Sequence, residues 1–252
     1  MASQTRIGMI TPSLNTVLEP VTYALLADLP DVTAHFSRVQ VSRISLEEDS
    51  TAQFADEPML AAARMLADAR VHAICWNGTA GSWLGPDFDR RLCETITRET
   101  GIPATSATLA LAELFRSRGI SRFALVTPFE SALQEAIIET YGREGFECVA
   151  ERHLDSEDTF NYATIPPAET EGMIRAVAGA EPEAIAAVCT NLKGAPHAPA
   201  LEAEAGRPIY DSVAAALWGT LALAGVDPGR IAGWGEIFSV APASLERLGA
   251  RP

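Results

Sequence analysis

Cys189 stands where an apolar run, Ala184-Ile-Ala-Ala-Val188, gives way to the small and polar residues Thr190-Asn-Leu-Lys-Gly194. A thiol at such a strand end is followed by backbone N–H groups and by a helix N-terminus expected near Pro196 to Ala200, a setting that favours thiolate. It can donate or accept a proton at carbon, or act as a nucleophile. Most free cysteines are packing residues. Cys93, on a stripe with Phe88, Leu92 and Ile96, and Cys148, inside Gly145-Phe-Glu-Cys-Val149, read that way. Cys75, between Ile74 and Trp76, suits a core position, with access to a cleft as the alternative.

A second candidate is the loop Gly78-Thr-Ala-Gly-Ser-Trp-Leu-Gly85. Its glycine spacing fits neither GxGxxG nor GxxxxGK[ST] and no lysine follows, which argues against a nucleotide. Turn amides together with the hydroxyls of Thr79 and Ser82 suit a smaller anion, for which a carboxylate is the natural candidate. Asn15, in Thr11-Pro-Ser-Leu-Asn15, either caps a helix or binds substrate. Lys193 and His197 follow Cys189 but read as surface residues, and Tyr210-Asp211 either rims the cleft or caps a helix through Asp211. No Ser-His-Asp pattern, HExxH or carboxylate cluster stands out.

The elements that position these residues alternate between strands and helices. Arg6 to Pro12, Val32 to Val41, Val71 to Trp76, Phe123 to Thr127 and Ala184 to Cys189 are short apolar or β-branched runs, each followed by a helical pattern. Phe88, Leu92 and Ile96, and Leu133, Ile137 and Tyr141, recur at i, i+4, i+8, as in helices covering a parallel sheet. The chain also echoes itself. Gly8-Met-Ile-Thr-Pro12 returns as Ala124-Leu-Val-Thr-Pro128, and Gly101-Ile-Pro-Ala-Thr-Ser106 as Gly206-Arg-Pro-Ile-Tyr-Asp211. Two echoes in the same order indicate duplicated halves, with position 78 roughly equivalent to 189. Ligands of open parallel sheets bind beyond the carboxyl ends of the strands. The segments Thr11–Asn15, Gly78–Ser82, Thr127–Phe129 and Cys189–Asn191 are therefore expected to line one cleft between the halves.

The bulk properties fit a globular protein. The 252 residues are 48% hydrophobic and 21% charged, with a formal net charge of −14. Such acidity argues against nucleic acid or an anionic membrane as partner. No run approaches membrane-spanning length, and the opening Met1-Ala-Ser-Gln-Thr-Arg6 has no leader pattern, so a cytoplasmic location is expected.

Pro12-Ser-Leu-Asn15, Gly78-Thr-Ala-Gly-Ser-Trp83, Val126-Thr-Pro128, Cys189-Thr-Asn-Leu-Lys193 and Gly206 to Ser212 together resemble the maleate isomerase and arylmalonate decarboxylase branch of the aspartate/glutamate racemase superfamily. The resemblance spans nearly the whole chain. It implies an α/β fold of two pseudo-symmetric flavodoxin-like domains with parallel sheets and an active site in the cleft between them. One half is then 1–119, with 212–252 as a candidate crossover back to it, and the other is 120–225. Racemases and maleate isomerases of this superfamily carry one cysteine in each half. The second matches Cys189; the first aligns with Gly78, and Cys75 is three residues out of register. Arylmalonate decarboxylases have this combination, glycine first and cysteine second. Two departures are Phe129, where a carboxylate-binding tyrosine is common, and Asn15, which is closer to the isomerases; Asn161 also resembles a substrate-contacting asparagine of those enzymes.

The resemblance implies a cofactor-free, metal-free decarboxylase acting on a substituted malonate-type diacid, whose enediolate is protonated by Cys189. The substrate contacts are expected from Pro12, Ser13, Asn15, Gly78, Thr79, Ala80, Thr127, Phe129, Asn161, Thr190 and Asn191, with Trp83 and Phe129 as apolar walls. Maleate cis-trans isomerisation or amino-acid racemisation is the enzymatic alternative, and a carboxylate-binding module without catalysis is another. A homo-oligomer is left open.

Overall fold

The computed structural model describes residues 4–47, 53–54, 56–156 and 158–249. The opening Met1 to Ser3, on which the leaderless reading partly rests, lies outside them. The chain forms two four-stranded parallel sheets. In the first, β1 (Thr5–Pro12), β2 (Val32–Val39), β3 (Ala73–Trp76) and β4 (Ala104–Ser106) lie in the order β2-β1-β3-β4. In the second, β5 (Arg122–Thr127), β6 (Glu147–His153), β7 (Ala184–Ala187) and β8 (Ile209–Asp211) repeat the pattern as β6-β5-β7-β8. This is flavodoxin-like topology in both halves, as the echoes predict.

Ala73-Ile-Cys-Trp76 and Ala184-Ile-Ala-Ala187 are buried at every position, because each strand is covered on both faces. The edge strand β2 mixes buried with more open positions, and β6 is intermediate or exposed throughout. Helices α1 (Leu18–Leu25), α2 (Asp56–Asp68), α3 (Gly81–Leu84), α4 (Pro86–Thr100) and α5 (Ala107–Arg118) belong to the first run of the repeat. The second run contributes α6 (Ser131–Arg143), α7 (Pro167–Ala178), α8 (Ala198–Ala205) and α9 (Ser212–Leu223), and a last short helix, α10, spans Leu245–Leu248. Helix α9 packs on α5 and reaches β3 and β4 of the first sheet. They come close at Gly219, where an added Cβ would stand 2.9 Å from the Cβ of Ala110.

The two sheets present equivalent strand ends. Ile10 pairs with Trp76 at the end of β1 and β3, and Val126 with Ala187 at the end of β5 and β7. The next residues repeat a single bond: Asn77 N–H donates to Ile10 O and Val188 N–H to Val126 O, both at 2.9 Å. In each sheet this is the point where the strand order reverses, the usual place for a crevice.

Candidate active site

Gly78 and Cys189 each lie two residues beyond those equivalent strand ends, and they line one pocket between the sheets. The pocket is tight, with a cavity volume of about 30 Å³. The first half contributes Pro12, Leu14 and Asn15 after β1, and Trp76, Gly78, Thr79, Ala80 and Trp83 around the end of β3. Val41, Ile44 and Phe54 close it from the β2–α2 connection; Cys189, Thr190, Asn191 and Thr159 come from the second half.

The loops are fixed by bonds that cross the cleft. Asn15 Oδ1 accepts from the N–H groups of Val17 and Leu18 at 3.0 and 2.8 Å, capping α1, while its Nδ2 donates to Thr190 Oγ1 at 3.0 Å. The Thr190 hydroxyl in turn donates to Asn77 O at 2.8 Å. Asn191 accepts from Thr16 N–H at 3.0 Å and donates to Thr159 O at 3.3 Å. Asn15 thus caps α1 and also lines the pocket. The backbone N–H groups of Gly78, Thr79 and Ala80 donate to no group among the described residues, which leaves them free for an anion.

Cys189 is 3% exposed. The loop was expected to favour thiolate; instead, burial pushes its pKa up to about 12, the charge of Asp211 adds to the shift, and the N–H groups of Asn191 and Leu192 only partly offset it. At neutral pH the group is a thiol, a proton donor. Behind the loop, Asp211 caps α9 by accepting from Val213 and Ala214 N–H at 2.8 and 3.1 Å, and a Cβ at Gly194 would stand 2.5 Å from its Oδ2. The carboxyl therefore packs directly against the backbone that follows Cys189. The first half repeats the device with a borrowed acid: Ser106 caps α5 and donates to Asp89 at 2.5 Å, and Asp89 abuts Gly81. Burial raises both carboxyls to about 7.

Other expected contacts lie apart from the pocket. Ser13 is exposed and exchanges hydrogen bonds with the backbone of Val41 at 3.1 and 3.2 Å. Thr127 donates to Gln134 at 2.7 Å. Phe129 sits one layer behind, edge-on to Trp83 at 5.6 Å and to Tyr162 at 5.7 Å. Asn161 is exposed and donates to Asp158 at 2.7 Å. Cys75 points into the core, its thiol pushed up to about 12 by burial, and does not line the pocket. Lys193 is exposed and His197 pairs with Glu171 at 3.2 Å. Among the described residues no lysine, arginine or histidine lines the pocket. Among the described residues no group of three or more His, Cys, Asp or Glu is placed to hold a metal, and no helix is long and apolar enough to cross a membrane.

Two flavodoxin-like sheets with loops after equivalent strand ends meeting in one pocket fit the aspartate/glutamate racemase superfamily, to which the sequence matches assign the chain. Within it, a model of the arylmalonate decarboxylase family matches residues 7–238, and the chain belongs to that family. It is similar to the maleate isomerase of Pseudomonas putida, 28% identical over 249 residues that cover 93% of this chain and 97% of that one. It is also similar to the arylmalonate decarboxylase of Bordetella bronchiseptica, 24% identical over 240 residues covering 94% and 98%. Among solved structures, a maleate isomerase of Pseudomonas putida S16 crystallised with maleate superposes with a TM-score of 0.86 at 25% identity, over 95% of this chain and 99% of that one. The chain is an enzyme of this superfamily, with cysteine-dependent chemistry in the decarboxylase or isomerase class.

Proposed function

We propose that the pocket binds a small dicarboxylate of the malonate type and that Cys189 protonates the enediolate left by loss of carbon dioxide. One carboxylate lies against the free amides of Gly78, Thr79 and Ala80. The bond from the α-carbon to the other carboxylate breaks, and its electron pair passes into an enediolate stabilised by those donors. The Cys189 proton is transferred to the α-carbon, giving the monoacid, and the thiolate regains its proton from water.

The observation that carries this reading is that the pocket holds one thiol, protonated at neutral pH, and opposite it in the repeat a glycine. Racemisation needs one group to remove a proton and another to return it. Isomerisation through an adduct needs a nucleophile as well as a proton donor. Decarboxylation needs a single proton delivered to one face.

A second reading, cis-trans isomerisation of maleate, is favoured by the 28% identity to a maleate isomerase. Proton NMR in deuterated buffer separates the two. With phenylmalonate and alkylmalonates the expected product is an α-deuterated monoacid, abolished in Cys189→Ala. Fumarate from maleate, with no monoacid from any malonate, would replace decarboxylation by isomerisation.

A further inference from the structure

Trp76 and Gly78 form one arrangement. They are two residues apart, at the end of β3 and just beyond it. A Cβ built on Gly78 would overlap Cζ2 and Cε2 of the Trp76 indole and stand 2.9 Å from Cη2. The space that a side chain at 78 would use is filled by the ring two residues earlier. In the second half the bulk is distributed the other way: Ala187 occupies the position equivalent to Trp76, and Cys189 carries the side chain that Gly78 lacks. The indole has thus taken over the part of the wall that a side chain at 78 would form.

The edge of the ring nearest Gly78 carries Cε2, to which the indole nitrogen is bonded. Trp76 is fully buried, lines the pocket, and its Nε1–H has no acceptor among the described residues; the same holds for Trp83, which is 6% exposed and also lines the pocket. Leaving a buried donor unpaired is costly, and native folds leave few. Trp218, by contrast, is fully buried outside the pocket lining and donates to Val240 O at 2.7 Å. The two unpaired indole donors are therefore features of the pocket wall.

Resting on the reading above, we infer that Trp76 is a specificity-determining residue. Its Nε1–H donates to a carboxylate oxygen of the bound diacid, with Trp83 as a second indole donor, and its ring excludes substrates that need a second side chain at position 78. The substrate is thereby recognised by neutral donors, N–H groups of backbone and indole, with no cationic side chain among the described lining residues to pair with it. This favours a diacid in which one carboxylate can sit in an apolar, aromatic enclosure.

The test is to label the protein with indole-¹⁵N tryptophan and titrate it with phenylmalonate, malonate and maleate. The chain has four tryptophans, and the Trp76 signal is assigned by its loss in Trp76→Phe. The expected result is a saturable shift of the Trp76 and Trp83 indole N–H signals with at least one diacid, while that of Trp218 stays fixed. Trp76→Phe, which keeps a ring but removes the donor, is expected to raise KM by roughly 10- to 100-fold with kcat little changed. Turnover of a diacid with a stationary Trp76 signal and an unaltered KM in Trp76→Phe overturns this role and leaves the proposed reaction standing. Absence of both turnover and indole shifts with every diacid overturns the reading of the pocket itself. The wild-type titration needs no variant to fold.

Discussion

Burial dominates the chemistry of Cys189. A thiol held near 12 is almost wholly protonated through the physiological range, so its availability as an acid does not change there. Turnover is expected to show no limb from thiol ionisation between pH 6 and 9, measured as kcat against pH. Alkylation of the native protein by iodoacetamide at pH 7.5 is expected to be slow at Cys189, followed by peptide mass spectrometry. A fast, selective reaction there would mean a thiolate and a nucleophilic role. At Gly78 the prediction concerns packing. Gly78→Ala drives a methyl group into the Trp76 ring and is expected to cost about 1–3 kcal/mol in urea unfolding. Combined with Trp76→Leu, which removes the overlapping atoms, the cost is expected to shrink; a strictly additive double-mutant cycle would contradict the contact.

Strands and loops were the most legible elements. Apolar runs ending in Asn77-Gly78 and Val188-Cys189 placed both loops correctly because buried parallel strands have a strong composition signal, and the Thr-Pro echo located equivalent strand ends. The walls of the pocket were less legible. Val41, Ile44 and Phe54 come from a connection with no motif, and Thr159 reaches the cleft through its bond with Asn191, a tertiary fact. Trp76 reads as core in sequence; only its spacing of two from Gly78, which the resemblance aligns with the first cysteine of racemases and maleate isomerases, hints at compensation. Thr127 and Phe129 follow β5 as expected, but Gln134 draws Thr127 toward α6 and Trp83 stands in front of Phe129.

The loop supports were also hidden, because Asp89 comes from α4 and meets Gly81 only in the folded chain. Asp211→Asn preserves the size of the α9 cap but turns an acceptor facing Gly194 into a donor or leaves it less able to accept. It is expected to destabilise the protein by about 1–3 kcal/mol and to lower kcat through displacement of the Cys189 loop.

For the molecule as a whole, the two buried carboxyls set a pH dependence of stability. Asp89 and Asp211 have folded pKa values near 7 against 3.8 for the free group, so between about 4 and 7 the folded state binds more protons than the unfolded state. Stability falls as pH rises through that window. The thermal midpoint is expected to be higher at pH 6 than at pH 8 by roughly 2–4 °C or more, and Asp89→Asn is expected to flatten the difference. The low-lying acids Asp31, Asp155 and Glu183 lose their favourable partners only at more acidic pH and do not oppose this trend above pH 6. The closing segment of the chain is held by charge: Arg247 grips buried Glu113 at 2.6 and 3.2 Å, and Arg230 pairs with Asp31.

Thr190, next to Cys189, is bonded to both Asn15 and Asn77 across the cleft. Any parting of the sheets would break those bonds, so the loop bearing Cys189 is fully braced only while the cleft is shut. On the proposed reaction, handedness of the product from a prochiral malonate would depend on a latch as much as on an acid: an enediolate that outlives closure would meet water from either side. Thr190→Val, which keeps the shape but removes both bonds, is expected to yield monoacid of lower enantiomeric excess, read by chiral chromatography, even where turnover persists.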